Sequence, residues 1–163
     1  MQIRAALPCD PASIDTLLIS SFAPITGRMS PEDAQTFAAA LAVSHAKYAH
    51  KGVWFVAAAK EELVGCVAYF RPFSTQHPLF QGNSAHIQLL GVSPSQTRAG
   101  VGRLLMLHCL AQARANTADG LLLQTSELMP EARALYESLG FVMTKILPSV
   151  WGQPTYLYAK LLP

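Results

Sequence analysis

The sequence predicts an α/β or α+β fold: a mixed sheet of about seven strands with about four helices packed on it. Three observations predict it. Runs of β-branched and aromatic residues recur from one end of the chain to the other. Between them lie stretches with apolar residues at helical spacing, several opened by a proline. The composition, 51% hydrophobic and 13% charged over 163 residues, is that of a chain able to bury about two-thirds of its unfolded surface. No repeat, low-complexity segment or linker divides it, so residues 1–163 read as one domain.

Each element has a local reason. "QIRAAL" (2–7) alternates weakly and reads as a first strand. "DPASIDTLLISSF" offers Asp10 as N-cap and Pro11 at the first helical position. After the loop "APITGRM", Ser30, Pro31 and Glu32 repeat the device and open a helix that Gly52 closes. "VWFVAAA" (53–59), the turn "KEE" and "LVGCVAYF" (63–70) read as a hairpin. A long loop, residues 71–85, leads to a strand at 86–92 and is a candidate functional segment. Leu105, Met106, Cys109, Leu110 and Ala113 then share one helical arc, with Arg103 and Arg114 opposite. "GLLLQTS" is apolar enough for a strand covered on both faces. "PEARALYESLG" has proline at its start and glycine just past its end. "FVMTKIL" and "TYLYAKLL" form a closing strand pair joined by "PSVWGQP".

The formal net charge is +2, with no run of Lys or Arg. That argues against a nucleic-acid partner and suits a small anionic ligand. Cys9, Cys66 and Cys109 are odd in number and far apart, with no Cys/His cluster at metal spacing. They read as free thiols in a reducing compartment, and no metal is expected. The opening "MQIRAALPCD" lacks the apolar core of a signal peptide. No apolar run approaches the roughly 18 residues that span a membrane. A cytoplasmic protein without a membrane partner is expected, and a homodimer is left open.

The stretch that asks for a function is "GVSPSQTRAGVGRLLM" (91–106). The first turn of a helix carries N–H groups without intrahelical partners, and its dipole favours an anion. Gly100 and Gly102 remove side chains that would hold a phosphate away, and Arg98 and Arg103 add positive charge. A tight strand-to-helix turn would also explain the glycines. G-x-x-x-x-G-K-[ST] is absent, and the third glycine of a dinucleotide fingerprint is missing.

Here the sequence resembles a family. "VSPSQTRAGVGRLLM" is similar to the acetyl-CoA motif of the GCN5-related N-acetyltransferases (GNAT), V-x-P-x-x-[QR]-x-x-G-x-G/A, through Val92, Pro94, Gly100 and Gly102. "EARALYESLGF" (131–141) resembles the second signature, A-x-x-L-Y-E-x-x-G-F. Thr97 stands where Gln or Arg is usual, Arg98 where Gly is common, and Met129 where Asn is frequent. The resemblance implies a mostly antiparallel sheet with a splayed cleft that binds coenzyme A. It places the pyrophosphate on the backbone of Thr97, Arg98, Ala99, Gly100, Val101, Gly102 and Arg103. It runs the pantetheine arm beside Leu90, Gly91 and Val92, where Gly91 would ease a bulge.

The implied activity is transfer of acetyl from acetyl-CoA to a primary amine of a small-molecule or amino-acid-like acceptor. Attack is direct, with Tyr136 as the acid that protonates the leaving thiolate. Tyr136 also shares a helical stripe with Ala132, Leu135 and Leu139, so packing alone would account for it. His86, where many relatives carry Glu, and Glu127 are the candidate bases; a solvent-facing strand end and a surface carboxylate are the plain alternatives. Acceptor walls are expected from Phe22, Met29, Phe73 and Trp151. A non-catalytic coenzyme-A-binding module and a peptide or protein N-terminal acetyltransferase remain the other readings.

Overall fold

The computed structural model describes residues 1–74 and 77–163. Among them the chain forms seven strands and five α-helices. In chain order these are β1 (Gln2–Ala5), α1 (Pro11–Thr26), α2 (Pro31–Leu41), α3 (Ser44–Tyr48), β2 (Val53–Ala59), β3 (Glu62–Phe70) and β4 (Ser84–Val92). After them come α4 (Val101–Ala115), β5 (Gly120–Ser126), α5 (Pro130–Ser138), β6 (Val142–Val150) and β7 (Gln153–Leu161). One sheet takes all the strands, in the order β1-β2-β3-β4-β5-β7-β6. Every neighbouring pair is antiparallel except β4 and β5.

Strand alternation sorts the core into two layers. On one face Phe55, Ala57, Val67, Tyr69, Ala85 and Ile87 meet the apolar arc of α4, namely Val101, Leu105, Met106, Cys109, Leu110 and Ala113. On the other, Trp54, Val56, Cys66, Ala68 and Phe70 meet Ile14, Leu17, Leu18 and Phe22 of α1 and Leu41 of α2. Each large apolar side chain buried this way contributes about 1.5–3 kcal/mol. Cys66 and Cys109 belong to these layers; burial pushes the Cys66 thiol up to about 12 and Cys109 higher still, so both are inert packing groups.

Four departures from the sequence reading have physical causes. Asp10 occupies the N-cap position of α1 without capping it. Its carboxylate instead accepts from Leu7 N–H (2.7 Å) and from Arg4 (2.6 Å), tying β1 to the helix start. The first helix runs on through "APIT" to Thr26 despite Pro24, whose missing N–H leaves the Ser20 carbonyl without its intrahelical backbone donor. The single helix expected after Ser30 breaks into α2 and α3 at Ala42–Val43, although Ser30 does cap α2 by accepting from Asp33 N–H (3.1 Å). The loop expected between the last strands shrinks to a two-residue turn, Trp151–Gly152, with both φ angles positive (54° and 70°). That geometry matches the twist of a tight hairpin.

Candidate functional site

The parallel pair is where the sheet opens. β4 and β5 are registered only at Ser84↔Gly120, Ala85↔Leu121 and His86↔Leu122. From Ile87 on, β4 keeps β3 on one side and has no strand on the other, while β5 goes on along β7 to Ser126. The cause lies in the β3–β4 ladder, where two β4 residues, Leu89 and Leu90, stand against Val67 alone. Leu89 takes a left-handed φ of 55°. Such a bulge turns the strand away from its neighbour. The bulge therefore sits at Leu89, not at Gly91. Gly91 serves packing: a Cβ there would lie 2.7 Å from Ser21 Oγ and 3.2 Å from Leu18 Cδ2, against α1.

At the head of the split stands the start of α4. Thr97 and Ala99 spend their amides on the turn, donating to Pro94 O (3.4 Å) and Gln96 O (3.1 Å). Among the described residues the amides of Arg98, Gly100, Val101, Gly102 and Arg103 have no backbone or side-chain acceptor. Gly100 holds φ +80° at the N-cap, and a Cβ there would meet nothing within 4 Å. Gly102 has a packing reason as well. Its Cβ would lie 3.2 Å from Leu135 Cδ2, so this glycine lets α4 and α5 approach. Arg98 and Arg103 are exposed beside the amides, and Arg103 reaches Ser138 Oγ of α5 (3.4 Å).

Tyr136 projects from α5 into the layer beneath α4 and is 6% exposed, its ring near Phe141 and Tyr158. Its hydroxyl makes no hydrogen bond among the described residues, and burial holds its pKa well above the ordinary tyrosine value. It is a neutral phenol at physiological pH. Thr125, on the length of β5 that β4 no longer pairs, has a buried hydroxyl without a partner among the described residues. Nothing in the pattern "GLLLQTS" marks that residue in advance.

His86 is on the opposite face of the sheet, paired with Phe70 across β3. It is 2% exposed, its ring stacked between Phe70 (4.4 Å) and Phe80 (4.1 Å), with Nε2 buried and unpartnered. It is therefore no solvent-facing strand end. Burial first, and His77 second, lower its pKa to about 4. A neutral imidazole of that strength is a poor acceptor for an ammonium proton. Glu127 is engaged at both oxygens: Tyr156 Oη donates to one, and Arg133 Nη1 lies 2.9 Å from the other. Arg133 continues to Tyr158 Oη (3.4 Å), which donates to Glu137 (2.8 Å). This chain of contacts fixes α5 on β7, and with it the position of Tyr136. His108, on α4, is half-buried against Phe55 (4.4 Å).

On the α1–α2 face, two contacts cross the mouth of the split. Arg28, in the α1–α2 loop, donates from Nη1 to Leu128 O (3.0 Å) beyond β5. Trp151, in the β6–β7 turn, packs on Phe37 (5.8 Å), which meets Phe22 edge-on (5.7 Å). Met129 packs into the same layer. Phe73 is 76% exposed and joins neither contact. In the loop before β4, Thr75 and Gln76 lie outside the described residues. Among the described residues no group of three His, Cys, Asp or Glu side chains is placed to hold a metal, and no helix is long and apolar enough to cross a membrane.

An open mixed sheet, split at its one parallel junction and headed by unpaired helix amides, defines an α+β fold. The family model for the acetyltransferase (GNAT) family matches residues 19–141, and the chain belongs to that family. N-acetyltransferase family 8 member 3 of Rattus norvegicus is 32% identical over 95 residues, which are 58% of this chain and 40% of that protein. The chain spans less than half the length of the curated relatives it matches. A structure described as histone acetyltransferase HPA2 and related acetyltransferase from Corynebacterium glutamicum superposes with a TM-score of 0.75 at 24% identity, covering 99% of this chain and 97% of that one. An aminoglycoside 6′-N-acetyltransferase complexed with coenzyme A superposes with a TM-score of 0.74 at 16% identity, covering 100% and 98%. At these identities the likeness is one of fold.

Proposed function

We propose that the protein transfers acetyl from acetyl-CoA to a primary amine of a small-molecule or amino-acid-like acceptor. The observation that supports this most is the head of the split: five free amides around a glycine whose missing side chain leaves open space. A helix start of this kind carries about half a positive charge. The amides of Arg98 and of Gly100 through Arg103 would receive the pyrophosphate, and the guanidinium groups of Arg98 and Arg103 would screen its charge. The unpaired edge of β4 from Ile87 to Val92 would take the pantetheine arm as a further strand partner. Bound there, acetyl-CoA supplies the activated acyl group.

The chain's own part is to orient, to exclude water and to move one proton. Tyr136 holds a protonated hydroxyl with no competing partner among the described residues, and it would donate that proton to the departing sulfur. The network from Glu127 through Arg133 to Glu137 keeps α5, and so this hydroxyl, in place. The His86 imidazole is buried with its pKa lowered to about 4, and both Glu127 oxygens are engaged by Tyr156 and Arg133, so the acceptor amine would enter already deprotonated. Thiol release from acetyl-CoA over a panel of amines tests the reading. A chain that binds acetyl-CoA but releases no thiol with any amine would instead be a binding module.

A further inference from the structure

Two unlike contacts frame the mouth of the split on the α1–α2 face. One is cationic and one aromatic. We propose that Arg28 receives a carboxylate of the acceptor, and that Phe37 and Trp151, backed by the buried Phe22, receive an apolar side chain, so that the acceptor is an α-amino acid with an aromatic or large apolar side chain. This rests on the acetyltransferase reading above and narrows its acceptor.

Arg28 is fixed from one nitrogen only. Nη1 is held by the Leu128 carbonyl at 3.0 Å, which leaves the other N–H groups of the fork free. Among the described residues its guanidinium has no carboxylate within ion-pair distance; the ion pairs present are Arg4–Asp10 and Arg133–Glu127. Glu32 and Asp33, close in sequence, lie in the first turn of α2, where its dipole favours them. Glu127, near Leu128, is already neutralised by Arg133. An arginine anchored on a neutral carbonyl and lacking a counter-ion is set up for the planar, two-point grip that a carboxylate offers. Its hydrogen bond reaches from the loop after α1 to the loop after β5, so a group held there lies over the opening where β4 and β5 part.

The aromatic side is equally specific in placement. Trp151 is presented by a tight turn with left-handed backbone, and it leans across to Phe37 of α2. Phe37 meets Phe22 of α1, and Met129 joins the same layer. An aromatic or branched apolar side chain would extend this stack at little polar cost. A polyamine or a Lys-rich tail would meet a free cation and few carboxylates.

The test uses acetylated products, which carry no titrating amine. N-acetylphenylalanine and N-acetylphenethylamine differ only in the carboxylate. With coenzyme A present, calorimetry on the wild type should show the carboxylate form bound at least about tenfold more tightly, the usual size of a charge-assisted hydrogen bond. Arg28→Gln keeps a donor for Leu128 O but no charge, and should bring the two affinities together. Arg28→Lys should keep part of the gap. N-acetylalanine should bind more weakly than N-acetylphenylalanine. Equal affinities in the wild type, or a preference that survives Arg28→Gln, would overturn the carboxylate assignment, and tight N-acetylalanine would overturn the aromatic one. Either result with coenzyme A still bound leaves the acetyltransferase reading standing; failure of the wild type to bind coenzyme A would remove that reading itself.

Discussion

Tyr136 and His86 are both buried and both aromatic, yet they make opposite predictions. The Tyr136 hydroxyl makes no hydrogen bond among the described residues, so Tyr136→Phe removes little that holds the fold. If the hydroxyl protonates the leaving thiolate, kcat falls by about 10²–10⁴-fold while acetyl-CoA affinity is unchanged, because that proton matters only as the sulfur departs. Steady-state kinetics alongside a direct binding titration separate this from a packing role, in which kcat would barely move. For His86 the stronger effect is on stability. Folding lowers its pKa from near 6.5 to about 4, so the unfolded chain binds a proton that the native chain refuses. The stabilisation is full above pH 6.5 and drains as the pH falls toward 4, by up to roughly 3 kcal/mol. His86→Leu should flatten that slope in denaturant melts at pH 4.5 and 7. The kcat/KM profile of the wild type should follow the amine and show no inflection from His86; a clear histidine inflection that His86→Leu removes would restore the role of base. The sequence placed both residues correctly along the chain but said nothing about Phe70 and Phe80 closing over the imidazole, since Phe80 comes from a loop whose path no local pattern sets.

At the level of elements, three glycines that look alike in sequence do three jobs. Gly100 takes a left-handed backbone and leaves open space beside the first amides of α4, Gly102 lets α5 in, and Gly91 lets α1 in. A side chain at Gly100 pays about 1–2 kcal/mol of left-handed strain but meets no neighbour, so Gly100→Val should chiefly abolish acetyl-CoA binding. Gly91→Val forces Ser21 and Leu18 apart and should cost about 1–3 kcal/mol of stability, with coenzyme affinity little altered in the folded fraction. Calorimetric binding and thermal melts on the two variants check that division of labour, and similar losses of both properties in both variants would refute it. The helical arc of α4 was legible residue by residue because one face of a helix packs on one sheet. The split was legible only through the resemblance, because a bulge at Leu89 is a property of two strands together. The break at Ala42–Val43 carries no glycine or proline and so leaves no mark in the sequence.

On the scale of the whole molecule, the seven strands and their order of appearance followed from periodicity and turn chemistry, whereas the contacts that complete the site did not. Arg28 to Leu128 joins residues far apart in the chain, and Trp151 reaches Phe37 only because the last hairpin closes in two residues. Such closures arise from the packing of finished elements. Both lie at the opening of one cleft, and the account stands on what that cleft holds. The most direct measurement is a titration of the isotopically labelled wild type with coenzyme A, followed by backbone amide chemical shifts. The account predicts the largest changes at Arg98 and at Gly100 through Arg103, with a second set along Leu90 to Val92 and none at β1. Saturable binding that leaves the α4 start unmoved, or no binding at all, would contradict it.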